Sequence, residues 1–311
     1  MAEIRRVIQT ALVTGASGMI GATLIRKLLR KGIRVYGVVR KESAKTANLP
    51  KESARFTVIR ADMDEFGTLS APEKVDAVFH LAWAGAAGKG RNSSELQTKN
   101  VEDSLAFLRR ARSLGASVFV GAGSQAEYGR TEEVLTPGTP CAPETEYGKA
   151  KYRLFSEGSA LAKELGIDFV WPRFLSVYGP YDNDYSMVMS AVNTFLKRGR
   201  FSCTLGEQVW DYVYSGDAAE ILYRLALFGE SGRAYIVSGG KARTLRSYIE
   251  AIRDAVDHDL PIGFGEIPYY DHQVMHLTGD MTETIKITGY RPGTAFEKGI
   301  QKTVRWAGKK G

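Results

Sequence analysis

Short apolar runs rich in β-branched residues alternate with stretches of helical spacing through the first half of the chain, a pattern that predicts βαβ units and a parallel sheet covered on both faces. Thr10 to Thr14 reads as the first strand. The positions from about Gly18 to Arg30 read as the helix after it, ended by Lys31-Gly32 in the manner of a glycine C-cap. Strands two to five fall at Ile33 to Val39, Arg55 to Arg60, Ala77 to Ala82 and Ser117 to Gly121, with a long helix from about Ser94 to Ser113, closed by Gly115, before the fifth. A further helix from about Tyr147 to Leu165 stops at Gly166, and a sixth strand from Asp168 to Trp171 breaks at Pro172, which has no N–H to give a ladder.

Past this point the alternation lapses. Val177-Tyr178-Gly179-Pro180-Tyr181 and the run from Ile262 to Pro268 are aromatic and rich in Gly and Pro, the composition of loops that line a ligand cleft. The expected architecture is α/β, a doubly wound parallel sheet of the Rossmann type with a smaller C-terminal substrate lobe. Residues 1–175 and about 209–240 form the dinucleotide-binding domain, and about 176–208 and 241–311 the lobe.

Composition narrows the function classes. With 44% hydrophobic residues in 311, the chain can bury a sizeable core. Cys141 and Cys203 stand far apart with no Cys-x-x-Cys or Cys/His cluster, so neither a disulfide framework nor a metal site is expected. The residues after Met1 form no apolar signal core, and no run of about 18 uncharged apolar residues occurs, which leads to the expectation of a cytoplasmic protein without a membrane partner. The formal net charge of +7 comes from scattered basic residues, Lys309-Lys310 being the terminal cluster, and favours an anionic small ligand over nucleic acid.

Gly15, Gly18 and Gly21 follow the first strand and open the first helix, with Ser17, Met19 and Ile20 completing the turn. In that setting glycine lets a pyrophosphate approach the helix N-terminus, where free N–H groups and the helix dipole favour negative charge. At the end of strand two, where an acidic residue would accept from an adenosine ribose, the chain offers Arg40 and Lys41. Arg40 suits a 2′-phosphate and Lys41 adds charge, so NADP(H) is favoured over NAD(H); a solvated strand-end arginine is the alternative. Asp62, past strand three, is either an adenine contact or a turn residue.

Tyr147 and Lys151 lie one helical turn apart on one face, so the ammonium can lower the phenol pKa and hold a cofactor ribose. With 15 Tyr in the chain such a pair arises by chance, and its weight comes from the conjunction with the glycine turn and with Ser124, which leaves strand five at the carboxyl edge of the sheet. Ser124 and Tyr147 can share one substrate oxygen, Tyr147 acting as general acid toward an alkoxide as hydride arrives.

These residues resemble the extended short-chain dehydrogenase/reductase family of nucleotide-sugar epimerases, dehydratases and 4-ketoreductases. His80-Leu81-Ala82, Asn100-Val101, the segment from Pro172 to Pro180, Trp210 to Asp217 and Gly289 to Pro292 carry the likeness over nearly the whole chain. The resemblance implies that Met63, Leu81, Ala82, Trp83, Asn100, Pro172 and Phe174 border the cofactor, and that Gln125, Glu127, Ser176, Tyr178, Tyr181 and Trp210 border a nucleotide-sugar substrate. It also implies a homodimer built on the helices at about 94–113 and 147–165.

Two departures stand out. Many members carry Asn where Ser176 stands and Arg where Trp210 stands. Sugar 4,6-dehydratases place an Asp-Glu pair after the Ser/Thr, because eliminating water needs a base and an acid; Gln125-Ala126 cannot do that work. The likeness is nearest to 4-ketoreductases such as the CDP-abequose and CDP-paratose synthases. That implies NADPH-dependent reduction of the 4-keto group of a nucleotide-linked 4-keto-6-deoxysugar, with a 4-epimerase retaining NAD as the alternative and a cofactor-bound scaffold as a third. His272 and His276 are either substrate contacts or packing residues.

Overall fold

The computed structural model describes residues 5–309 apart from His272, which with Lys310 lies outside the described residues. Strands β1 (Thr10–Thr14), β2 (Arg34–Val39), β3 (Phe56–Arg60), β4 (Ala77–His80) and β5 (Val118–Gly121) pair in parallel. Three more follow in the same sheet: β6 (Gly123–Ser124), β7 (Asp168–Phe174) and, after β8 (Ser176–Tyr178), β9 (Phe201–Cys203), β10 (Val209–Trp210) and β11 (Tyr212–Tyr214), the edge strand β12 (Arg233–Val237). The order is β12-β7-β5-β4-β1-β2-β3, with β6 beside β7. The chain winds outward in both directions from β1 and β4, and the crevice at their carboxyl ends is where such sheets bind ligands.

Side chains along each strand alternate between two cores. Ala11 and Val13 of β1 and Val118 and Val120 of β5 join one core with helix α1 (Met19–Arg30), whereas Leu12 and Phe119 join the other, with α2 (Ser94–Ser113) and α3 (Glu146–Leu165). Every one of these strand residues is fully buried, as a sheet covered on both faces requires. Past α4 (Met187–Leu196), helix α5 (Ser215–Phe228) completes the α1 layer through Ile221, Leu222 and Leu225. A third core joins Val188 and Phe195 of α4 to Tyr248 and Ile252 of α6 (Leu245–Asp254). Beyond α7 (Thr282–Thr288), Phe296 and Ile300 of α8 (Phe296–Ala307) fill the same core. Three short strands, β13 (Arg243–Thr244), β14 (Ile262–Phe264) and β15 (His276–Leu277), tie β10 and β9 into this part.

The structure corrects three expectations. Strand seven does not break at Pro172: on one side its ladder with β5 stops at Val170 and resumes with β6 at Arg173, so the proline falls in the gap where an N–H is not needed. Strand β4 ends at His80 rather than Ala82, because the amides of Leu81 and Ala82 turn to the Thr14 hydroxyl. The segments around Tyr178 and Ile262 start as strands, Ser176–Tyr178 and Ile262–Phe264, and only their later residues, 179–181 and 265–268, are turns and loops; Tyr178 is buried among the rings of Tyr212, Tyr214 and Phe296. Among the described residues no helix is long and apolar enough to cross a membrane.

Candidate active site

The turn between β1 and α1 is built for close approach. Gly15 has φ +64°, and a Cβ there would stand 2.8 Å from the Ala82 nitrogen and the Leu81 carbonyl carbon. A Cβ on Gly21 would strike the Gly15 carbonyl oxygen. Gly18 caps α1 without a side-chain hydrogen bond, which leaves first-turn N–H groups for an anion. Backbone pared this far back, at a bare helix N-terminus on the crevice of a doubly wound sheet, fits a dinucleotide pyrophosphate. Ser17 meets Ser43 at 3.2 Å between hydroxyl oxygens, and the Asn48 amide donates to the Ser17 carbonyl, so the loop after β2 folds over the turn.

A buried relay braces this crevice from beneath. The Thr14 hydroxyl accepts from the Leu81 and Ala82 amides at 3.1 and 3.2 Å, so its own proton goes to His80 Nδ1 at 2.9 Å. His80 therefore carries its hydrogen on Nε2, 2.9 Å from the Ser104 hydroxyl, which donates onward to the Asn100 carbonyl at 2.6 Å. Burial, with Lys151 adding to it, pushes His80 down to about 3, so the ring is a neutral brace. His80 is a structural residue that local spacing could not assign.

Ser124, Tyr147 and Lys151 come together at the carboxyl edge of the sheet. Ser124 ends β6 in register with Phe174 of β7, and its hydroxyl accepts from the Ala126 amide at 3.2 Å, which leaves its proton to donate. Thr145 caps α3 by accepting from the Gly148 amide at 3.1 Å, and so fixes the first turn that carries Tyr147. Burial raises the Tyr147 phenol above its ordinary value, while a hydrogen bond from Ser124 and the Arg91 guanidinium, 4.5 Å from the ring centre, work to lower it. Arg91 is thus a second cation beside the phenol, one that the spacing of Tyr147 and Lys151 does not point to. Lys151 is 4% exposed, its Nζ 3.5 Å from the Trp83 ring centre and 5.7 Å from that of Tyr147. Burial pushes it down to about 7, with the Glu127 carboxylate opposing the shift. A lysine poised there can change protonation state at neutral pH.

Behind this wall stands Glu127, fully buried. Its carboxylate accepts from the Ser124 amide at 2.8 Å, the Trp171 indole at 3.0 Å and Arg173 Nε at 2.7 Å. Arg173 also donates to the Tyr128 hydroxyl at 2.8 Å. Burial works against both charges, opposing the ionised form of Arg173 and raising Glu127, but Glu127 more than offsets the effect on Arg173, which stands above its ordinary value, and every bond Glu127 makes is one an ionised carboxylate accepts. The resemblance put Glu127 on the substrate side; the structure uses it instead to set the backbone of Ser124.

The other expected site residues divide. Arg40 is exposed at the end of β2, whereas the Lys41 ammonium is held by Glu65 at 2.5 Å, and Asp62 accepts from the Lys41 amide at 3.3 Å as a turn residue would. Met63 packs on the α2–α3 core, and Asn100 is buried with both ends of its amide on the Ala84 backbone, at 3.1 and 2.9 Å. Trp83 donates to Gln97 at 2.8 Å, and Gln125 is half-buried beside Ser124. Pro172 and Phe174 lie in β7 next to β6. Tyr178 belongs to the third core, and Tyr181 lies between Arg26 of α1 and Trp306 of α8. His276 sits in β15 with its Nδ1 buried and unpartnered among the described residues. Ser176 and Trp210, the two departures from the family pattern, contact each other, the indole donating to the hydroxyl at 2.7 Å.

The chain is 26% identical over 315 residues to UDP-glucose 4-epimerase of Mycolicibacterium smegmatis, an alignment spanning 95% of this chain and 97% of that protein. It is 27% identical over 265 residues to dTDP-6-deoxy-L-talose 4-dehydrogenase (NAD(+)) of Aggregatibacter actinomycetemcomitans, covering 81% and 91%. The fold superimposes on UDP-N-acetylglucosamine 4-epimerase from Methanobrevibacter ruminantium M1, solved with UDP-N-acetylmuramic acid, with a TM-score of 0.88 at 21% identity, covering 98% and 100% of the two chains. Residues 11–238 match the NAD dependent epimerase/dehydratase family, and the chain belongs to that family of enzymes, whose members modify nucleotide sugars.

Proposed function

We propose that the protein reduces the 4-keto group of a nucleotide-linked 4-keto-6-deoxysugar with NADPH. The observation that carries the reading is a complete Ser124, Tyr147 and Lys151 group beside a Gln125-Ala126 pair that has no acid or base for dehydration. Likeness to a dTDP-6-deoxy-L-talose 4-dehydrogenase, which acts at the same carbon of a 6-deoxysugar, supports it. Exposed Arg40 supports the phosphorylated cofactor, although Lys41 is already tied to Glu65.

A reduced nicotinamide, when bound, supplies the hydride for C4. Tyr147 gives its proton to the oxygen on that carbon, and the Ser124 hydroxyl donates a hydrogen bond to the same oxygen. Lys151, able to hold or release a proton near neutral pH, steadies the phenolate that results. We assign residues 1–175 and about 209–240 to cofactor binding and about 176–208 and 241–311 to the nucleotide sugar. A homodimer through α2 and α3 is part of the same proposal, to be checked by light scattering.

Purified protein given a nucleotide-linked 4-ketosugar should oxidise NADPH faster than NADH. Tyr147→Phe should cost roughly 10²- to 10⁴-fold in turnover while cofactor affinity holds. Unchanged turnover would remove Tyr147 from its role. The 4-epimerase reading is favoured by the fuller alignment to UDP-glucose 4-epimerase, and protein that purifies with one equivalent of tightly held NAD would move the assignment to it.

A further inference from the structure

We propose that a second anion site, distinct from the catalytic crevice, lies between α1, α5 and α8 and takes a free nucleotide, its phosphates on Arg30 and Lys302 and its base against Tyr181 and Trp306. The site is a cavity of about 470 Å³, within the size range of small-molecule sites, and neither Ser124, Tyr147 nor Lys151 lines it. Arg30 sits eleven residues after Met19 on α1, about 16 Å along the helix axis from the phosphate turn.

Its charge is unbalanced. Arg26, Lys27, Arg30 and Lys302 line the cavity, and Asp217 is the carboxylate among them. Lys27 is taken by Glu220 at 3.0 Å. Asp217 is engaged too, accepting from the Tyr290 hydroxyl at 2.6 Å and the Thr294 amide at 3.0 Å. Arg26 donates to the Ala22 and Asn48 carbonyls, which fix the guanidinium without neutralising it. Burial lowers Arg26 from its usual value, with the Tyr181 phenol opposing the shift and the neighbouring Arg30 adding to it. The head of α5 points into the cavity too: Tyr214 gives it no side-chain cap, Asp217 in its first turn is spent on Tyr290 and Thr294, and the Ser215 hydroxyl is buried with no hydrogen-bond partner among the described residues.

The aromatic side of the cavity separates a nucleotide from a bare phosphate. Tyr181 has φ +75°, a conformation side chains with a Cβ seldom adopt, and it holds its ring 4.6 Å from the Arg26 guanidinium and 5.3 Å from the Trp306 ring. The result is an aromatic corner next to two surface cations, which suits a planar base joined to phosphate. The inference is independent of which reaction the catalytic group performs.

The test is calorimetric titration of protein saturated with NADPH and nucleotide sugar, using ADP and inorganic phosphate as separate probes. ADP should still bind once per chain, and Arg30→Glu with Lys302→Glu should weaken it at least tenfold while turnover is unchanged. Tyr181→Gly, which also relieves the backbone, should weaken ADP about fivefold and leave phosphate unaffected. Failure of ADP to bind the saturated protein, or equal binding by the double variant, would overturn the site. Phosphate binding as tightly as ADP would overturn its assignment to a nucleotide.

Discussion

The wall that carries Ser124, Tyr147 and Lys151 and the layer behind it that carries Glu127, Trp171 and Arg173 bury charge in opposite ways. Behind the wall, Arg173 meets a carboxylate and a phenol at 2.7 and 2.8 Å, and stays charged. On the wall itself Lys151 has the faces of Trp83 and Tyr147 for close neighbours, and burial brings it down to about 7. Paired charge is fixed charge, suited to setting the Ser124 backbone. Charge left on aromatic faces can be given up, which is what a proton-handling site requires.

The most damaging way to break this contrast is to unpair the layer behind. Arg173→Met leaves Glu127 buried among donors that no longer balance it, and should cost about 3–5 kcal/mol of stability by urea denaturation. Adding Glu127→Leu removes the orphaned charge and should recover most of the loss while still misplacing Ser124, so stability and turnover part company. A single variant as stable as the parent would show that the pair is not what makes the buried carboxylate tolerable.

Lys151 gives the contrast a pH dependence. Its folded value of about 7 lies below the ordinary 10.5. Below pH 7 both folded and unfolded chains hold the proton, and the full cost of burying the charge is present. As pH rises from about 7 toward the ordinary value the folded chain has lost its proton and the unfolded chain has not, so stability rises, by up to about 1.4 kcal/mol per pH unit. Denaturation of the parent and of Lys151→Met between pH 7 and 9.5 should show that slope in the parent alone. Parallel curves would mean that the ammonium stays charged in the fold.

The same division explains what could be read from the chain. The glycine turn, Tyr147 with Lys151, and the helix from Ser94 to Ser113 rest on spacings of a few residues, and the structure places each element within a residue or two of its expected bounds. Glu127 carries one local sign, the Ser124-x-x-Glu127 spacing of a capping box, which the structure forms, but its partner Arg173 stands in a separate element and no spacing links the two. Tyr178 was hidden for a related reason: an aromatic beside Gly and Pro has the composition of a loop, yet three surrounding rings make it core. Pro172 reads as a strand breaker because the gap between β5 and β6 that accommodates it exists only in the folded sheet.

Arg91 tests the contrast at its weakest point, for it is a third cation in the site, partly exposed and, among the described residues, not paired with a carboxylate. It lies in a 3-10 turn between Gly88 and Asn92 that has no periodic signature, donates to the Ala86 carbonyl at 2.8 Å, and draws the Tyr147 phenol down against the effect of burial. Arg91→Ala should therefore raise the pKa of Tyr147 further. If the proposed reaction is run in reverse, as an alcohol oxidation, the role proposed for Tyr147 requires its deprotonation, so the rising limb of the pH–rate curve should move to higher pH and turnover at neutral pH should fall. Because the guanidinium is partly in water, the effect should be small, roughly two- to fivefold, and should shrink as salt is added. Arg91→Lys should restore part of it, since a point charge suffices for the field. If KM rises while the limb stays in place, Arg91 is holding substrate, and the tuning of Tyr147 is left to Ser124 and to the depth at which the ring is buried.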